Sequence, residues 1–379
     1  MAARKVSGTS LAHQEDIRKS SRSSARDREI AKRFEDAQVS LVLQSSDLSL
    51  ESVSQMVETS AIDVKPEFQR RDRWTQAQSS ALIESFLLNI PVPPVYLAEE
   101  QFGRYSVIDG KQRITSINQF MSNTLALTNL SRFEEIEGKR FLELPDELAN
   151  ALRVRPYIRV VTLLRQSDPE TKYEVFHRLN SGGEALNAQE IRNVLYRGAF
   201  NDLLQRLAEN NFLRNRLKIT TTRSPAFKAM QDVEYVLRFF TVDAYWRDFS
   251  GDFRKSMNSY MRAHRDPDEK FLSEKESQFV RALAACESIF GRHAFQRFER
   301  GQWRNQMLSG LYDAQMIAVS SMSDYQLSTV IRNREKMIAR YKDLFDDEDF
   351  NAAIRTGTNT PRRLTYRIMR TIECLSDFA

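Results

Sequence analysis

An α+β domain followed by a mostly helical one is the architecture this sequence predicts. Three features point to it. Between residues 40 and 165 short apolar runs alternate with helix-period segments. Beyond residue 168 strand signals nearly vanish, and apolar side chains recur at i, i+3/i+4 spacing. Only 12 glycines and 10 prolines occur in 379 residues, so long loops should be few.

Residues 1–38 stand apart. The run Arg18-Lys19-Ser20-Ser21-Arg22-Ser23-Ser24-Ala25-Arg26 is Ser/Arg-rich and apolar residues are sparse before Phe34, so a flexible basic N-terminal segment is expected. An α+β domain over 39–167 follows. Its strands are read at Leu41-Val42-Leu43, Val92 to Leu97, Tyr105 to Ile108 and Tyr157 to Leu163. Between the first two, Thr75 to Leu88 carries a helical period with Thr75 as its N-cap, and Pro91, Pro93 and Pro94 end that helix and lead into extended chain. A helical domain over 168–379 is read from the segments 169–180, 187–209, 226–247, 271–290, 303–319, 323–344 and 361–377.

Composition narrows the function classes. Charged residues make up 28% and the formal net charge is +5, from 56 Lys+Arg against 51 Asp+Glu. That balance is compatible with a polyanionic partner without demanding one. Two cysteines, Cys286 and Cys374, lie far apart, which excludes a disulfide framework and a cysteine-rich zinc site. The sequence has no apolar run of membrane-spanning length and no signal-peptide pattern, so a cytoplasmic location is expected. A P-loop, a G-x-S-x-G elbow and an H-E-x-x-H helix are all missing.

The chemistry concentrates in Arg104-Tyr105-Ser106-Val107-Ile108-Asp109-Gly110-Lys111-Gln112-Arg113-Ile114-Thr115-Ser116. A β-type run breaks at Asp109-Gly110 and resumes with helical spacing at Ile114, Ile117, Phe120 and Met121. A strand that enters a helix in this way turns backbone N–H groups toward an incoming phosphate. Gly110 permits close approach, Arg113 can fork onto phosphate oxygens, and Asp109 can hold a divalent metal or orient a ribose or water. The competing reading is an Asp-Gly turn in which Arg113 pairs with a neighbouring carboxylate. A second cluster, Val64 to Trp74, sets Gln69 and Arg70 between the aromatic anchors Phe68 and Trp74; taken alone, it is a charged connector. A third, Val175 to Arg192, ends one helix at Asn180, turns at Gly182-Gly183, and opens the next with an Asn187/Glu190 capping box.

In this order and spacing, Phe68-Gln69-Arg70 with Trp74, Asp109-Gly110-Lys111-Gln112-Arg113, and Phe176, Leu179-Asn180, Gly183 and Glu190 resemble the N-terminal domain of GmrSD-type modification-dependent restriction enzymes. The resemblance covers roughly residues 45–200. It implies a ParB/sulfiredoxin-like fold, nucleotide binding or hydrolysis, and service in DNA restriction or anti-phage defence. By position, Gln69, Arg70, Asp109, Gly110, Lys111, Gln112 and Arg113 are the implied nucleotide-binding residues. Asp109 and Gln112 are the implied catalytic pair, Asn180, Gly182 and Gly183 are accessory, and Asp109 is the implied Mg²⁺ ligand. The implied cofactors are an NTP of unspecified base and Mg²⁺. The implied partners are DNA, a partner nuclease and a second copy of the chain, with no membrane. Lys111 departs from the family's usual Gln; a cation there either strengthens phosphate binding or marks a loss of hydrolysis.

Full-length relatives often add an HNH nuclease. Here the four histidines, His13, His177, His264 and His293, are scattered, and His264-Arg265-Asp266-Pro267 falls in a polar break without a strand pair, so no HNH nuclease is expected. Arg292, Arg297, Arg300 and Arg304 interleave with Phe295, Phe298 and Trp303. That pattern suits either a nucleic-acid surface or a core edge with solvated arginines. The function expected is a nucleotide-dependent sensor or switch. The alternative is a DNA-binding module whose Asp109–Arg113 loop grips backbone phosphate.

Overall fold

The structure, a computed structural model, describes residues 26–36, 38–64, 74–179 and 187–379. The described chain divides into two compact units, one ending with residue 179 and the other running from 187 to 379. Residues 26–36 form a helix exposed along its length. Among the described residues no helix is long and apolar enough to cross a membrane.

The first unit is a mixed α+β layer. Its strands are β1 (Leu43–Ser49), β2 (Ile62–Asp63), β3 (Val95–Gln101), β4 (Arg104–Asp109) and β5 (Tyr157–Leu163), and its helices are α1 (Leu50–Glu58), α2 (Gln76–Leu87), α3 (Lys111–Met121), α4 (Asp146–Val154) and α5 (Pro169–Leu179). The sheet order is β1-β5-β3-β4-β2. Pairs β1/β5 and β3/β4 are antiparallel, whereas β3/β5 and β2/β4 are parallel. Leu97 and Val107 from the sheet, Ile83 and Phe86 from α2, and Ile114, Ile117 and Phe120 from α3 share one buried cluster.

Local chemistry sets the helix starts. Ser49 caps α1 by accepting from Ser52 N, and Thr75 with Gln78 forms the capping box of α2. Polar contacts then fix the helices to each other. Ser54 of α1 donates to Asn118 of α3 at 2.9 Å, and Ser116 of α3 donates to Ser79 of α2 at 2.9 Å. Glu84 of α2, buried, accepts from the backbone N–H groups of Ser131 and Arg132 at 2.8 and 2.6 Å and so ties down the loop after α3.

The second unit is helical, with α6 (Ala188–Leu195), α7 (Ala199–Leu207), α8 (Asn211–Arg216), α9 (Pro225–Lys228), α10 (Gln231–Tyr245), α11 (Phe253–Ala263) and α12 (Glu269–Phe290). A hairpin of β6 (Gln296–Glu299) and β7 (Gln302–Met307) precedes α13 (Ser309–Ser320), α14 (Asp324–Arg332), α15 (Arg334–Asp343), α16 (Glu348–Arg355) and α17 (Pro361–Ser376). Helix α13 is buried from Gly310 to Val319 and packs on α10, α12 and α17. Gly310 is required there, because a Cβ would lie 2.9 Å from the Ile354 backbone of α16. Asp313, on the same helix, is fully buried and holds two arginines: Arg238 of α10 in a two-pronged contact at 2.6 and 2.7 Å, and Arg367 of α17 at 2.6 Å.

Four sequence expectations need correction here. Residues 302–307, placed in a helical segment 303–319, are strand: Arg300 (φ 51°) and Gly301 (φ 78°) reverse the chain and Phe298 pairs with Trp303. The segment 187–209 is two helices, broken at Tyr196–Gly198. The segment 226–247 is split at Met230, whose φ is 52°. The segment 323–344 is split at Asn333. Five helices, α1, α4, α8, α11 and α16, were not anticipated.

Candidate functional site

The candidate site lies where β4 becomes α3. Asp109 is the last residue of β4 and pairs across the hairpin with Tyr96 of β3. Gly110 follows at φ 93°, ψ 16°, and is the N-cap of α3, where it offers no side chain to the helix's first turn. Two constraints demand glycine. The left-handed backbone disfavours any Cβ, and a Cβ would come within 2.5 Å of Val95 Cγ1. The buried face of α3, Ile114, Ile117 and Phe120, anchors the helix in the core, so its polar start is held against the sheet's end.

Arg113 is largely buried and fully engaged in this turn. One terminal nitrogen donates to the carbonyl oxygens of Pro93 and Pro94 at 2.6 and 2.9 Å; the other donates to Asp109 Oδ2 at 2.7 Å. A cation in the first turn of a helix is unfavourable to the helix dipole, and the carboxylate plus two carbonyls offset this. The structure thus draws Arg113 into the carboxylate pairing that the turn reading anticipates. Its guanidinium clasps the Pro93-Pro94 entry of β3 to the end of β4. Asp109 is held in turn: Oδ2 faces Arg113, and Oδ1 accepts no hydrogen bond from the described residues.

Gln112 turns toward the segment before α2, its Oε1 accepting from the Trp74 backbone N–H at 3.3 Å. Trp74 and Val64, the described flanks of 65–73, both pack on the first unit's core. Lys111 and Gln112 are half-buried, each with further contacts of its own. Helix α5 packs against β4. Asp109, Gly110, Lys111, Gln112 and Arg113 are therefore together in one turn. Gln69 and Arg70, and Asn180, Gly182 and Gly183, lie outside the described residues. So does Phe68, whereas Phe176 is fully buried. The Asn187/Glu190 capping box is formed, with Asn187 Oδ1 accepting from Glu190 N and Glu190 accepting from Asn187 N.

Three participants escaped sequence reasoning. The Pro93 and Pro94 carbonyls are Arg113 acceptors, whereas these prolines were read as a helix stop and the entry to extended chain. The Trp74 N–H contact to Gln112 carried no sequence signal. Among the described residues, no group of three or more His, Cys, Asp or Glu converges as a metal site. His264 is packed in an aromatic cluster, stacked on Phe271 at 4.6 Å and against Tyr260 at 4.5 Å. Burial there, with the charge of Lys275, lowers its proton affinity.

Residues 53–197 match the family model described as the GmrSD restriction endonuclease, N-terminal domain. No curated protein and no solved structure matches the chain.

Proposed function

Residues 53–197 are a GmrSD-type N-terminal domain, and from that premise we propose that the chain is a nucleotide-binding sensor or switch of DNA restriction or anti-phage defence. It acts with DNA or a partner nuclease. The observation that carries this reading is the start of α3: an 11-residue helix opening at a strand end, with an uncapped glycine before it and Lys111 and Gln112 in its first turn. Such a start favours an anion by its dipole and its leading N–H groups.

The residues fit a nucleotide in a specific division of labour. Arg113 is a positioning residue, since its contacts fall on Asp109 and two carbonyls. Lys111 supplies the cation for the phosphates. Asp109, oriented by Arg113, offers Oδ1 to Mg²⁺, which would neutralise phosphate charge when bound. Gln112, anchored through Trp74 N–H, is the residue to which the proposal gives the orienting of a water. Hydrolysis is the finer part of the proposal; binding is the coarser.

Calorimetric titration with the four NTPs and Mg²⁺ tests it. Wild type should bind at least one NTP. Lys111→Ala should weaken that by about tenfold or more, the worth of one charge-assisted contact at roughly 1.5–3 kcal/mol. Saturating ligand should also raise stability, by about 2.7 kcal/mol at a hundredfold excess over Kd. If no NTP binds while duplex DNA does and Lys111→Ala weakens the DNA, the second reading replaces the first: the 109–113 turn grips backbone phosphate. The internal commitment of Arg113 favours that reading to this extent, that its guanidinium is engaged by Asp109 and two carbonyls and does not itself fork onto a polyphosphate.

A further inference from the structure

The helical unit carries an arginine-lined cleft that the nucleotide reading does not use. It has two adjoining lobes, of roughly 710 and 410 Å³, which share Arg297, Glu299 and Arg355. Arg300 and Phe298 line the larger lobe; Arg304 and Gln306 line the smaller. The arginines come from separate places: β6, the tight turn, β7 and the last residue of α16. Residues 297, 300 and 304 belong to the Arg/aromatic stretch noted in the sequence, whereas Arg355 is brought in by the fold.

We propose that the smaller lobe is a seat for the phosphates of a nucleic-acid backbone. The charge arithmetic is local. Arg297 and Arg304 both engage Glu299, the latter at 2.8 Å, so this carboxylate is already shared by two guanidinium groups. Three arginines face one glutamate in the smaller lobe, a surplus of two positive charges that an anion relieves. The Glu299 carboxyl is held below its ordinary range, chiefly by the Arg304 hydrogen bond and further by the charge of Arg297, against a burial effect that raises it. It therefore stays charged and does not compete for a proton with an arriving phosphate. In the larger lobe Asp346 and Glu348 balance the arginines, which directs the anion to the smaller one.

The aromatic residues decide how such a strand is read. Trp303 is stacked on His293 at 5.1 Å and meets Phe298 and Phe345 edge-on. Lys342 lies 4.8 Å over the Phe298 ring. These rings pack on one another instead of forming a platform for bases. The arginines remain, and guanidinium forks suit phosphate oxygens without regard to sequence. The inferred binding is sequence-independent and strongly salt-dependent.

Anisotropy titrations of the full chain with a labelled random-sequence duplex and a labelled single strand, at a series of salt concentrations, test this. Arg304 and Arg355 are exposed, so the variant Arg304→Ala/Arg355→Ala is expected to fold, as its circular dichroism and thermal transition will report. It should bind at least one of the two nucleic acids roughly tenfold or more weakly. Its slope of log K against log salt should be shallower by about 1.4–1.8, at about 0.7–0.9 per lost phosphate contact. Glu299→Gln should tighten binding and steepen that slope, which the loss of a merely structural ion pair would not do. If the double variant unfolds, Glu299→Gln decides alone. The proposal falls if wild type binds neither nucleic acid at low salt, if the variants leave affinity and slope unchanged, or if Lys111→Ala alone abolishes binding. Inorganic phosphate and NTP are the competing arms: binding of either that is sensitive to the double variant, without binding of a strand, makes this a small-anion site and overturns the assignment.

Discussion

Replacing Asp313 by Asn should cost the helical unit a substantial part of its stability. Asp313 and Arg367 are wholly buried and Arg238 almost so, giving two guanidinium groups on one carboxylate and a net positive charge inside the protein. Arg238 also lies 3.9 Å over the ring of Phe253, and Arg367 donates to the carbonyls of Ala353 and Thr358, so neither arginine can swing out to water without abandoning other partners. Arg367 Nε is buried and finds no partner among the described residues. The carboxylate accepts three charge-assisted hydrogen bonds, each worth roughly 1.5–3 kcal/mol. Asn keeps one acceptor oxygen of similar shape but adds two donors facing cations. The expected loss is about 3–5 kcal/mol, the cost of breaking a buried ion pair from one side. Against a typical stability of about 5–15 kcal/mol, that is roughly a fifth of the total or more. Urea unfolding followed by the fluorescence of Trp246 and Trp303 measures it. The double variant Asp313→Asn/Arg367→Met should recover part of the loss, because the charge left unpaired is then removed as well. A loss below about 1 kcal/mol in Asp313→Asn, or no recovery in the double variant, would refute the claim that counter-charge in this core is what holds α10, α13 and α17 together.

Three further outcomes are expected. Gly110→Ala meets both a positive φ, worth about 1–2 kcal/mol, and the Val95 side chain, so chemical denaturation should show a loss of about 2 kcal/mol or more whether or not nucleotide is present. Glu84 is raised by burial but lowered on balance by the backbone N–H groups of Arg132 and Ser131; its folded pKa thus lies below the unfolded one, and its contribution is present above the unfolded value and lost as pH falls through the folded value. The stability gap between wild type and Glu84→Gln should accordingly narrow as pH drops below the ordinary glutamate range, and a gap independent of pH would contradict this. His264 also has a depressed pKa, from burial first and Lys275 second, so the neutral ring is favoured in the fold and stability should decline as pH falls below about 6.5, the ordinary histidine value. In His264→Phe that decline should disappear from melts between roughly pH 7 and 5.

The parts of this fold that were legible in sequence are those where one periodicity acts without rivals. Tyr157–Leu163 reads as strand because Ile158 and Val160 alternate with exposed neighbours, and the structure returns the same bounds. Thr75 and the Asn187/Glu190 pair declared their helix starts through side chains that bond locally, and the structure adds Gln78 to the first. The hairpin at 296–307 was illegible for the opposite reason. Trp303 and Met307 are four apart, which suits a helix, and the strand pairing that overrides it depends on Phe298 across the turn. Helix α1 was missed because its two fully buried apolar residues, Leu50 and Val53, are too few to establish a period, and its attachment runs through Ser54 to Asn118, 64 residues away. At the site, the co-location of Asp109 through Arg113 was plain because they are consecutive. The destination of the Arg113 guanidinium was not, since two of its three acceptors are backbone carbonyls, which no residue type announces.

That clasp has a consequence for how tolerance to mutation along this turn would be distributed. Selection for folding alone would retain Gly110, Arg113 and Asp109, because the backbone sign, the two proline carbonyls and the salt bridge require them with no ligand present. Lys111 lies between these positions and makes none of the three contacts that close the clasp. A turn built this way separates two kinds of change along five consecutive residues. Asp109, Gly110 and Arg113 can vary only at the expense of the domain, while a change at position 111 leaves the three contacts of the clasp untouched. A substitution at 111 is therefore felt through the partners of Lys111 itself and not through the closure of the turn, whereas one at 110 or 113 is felt through the closure first.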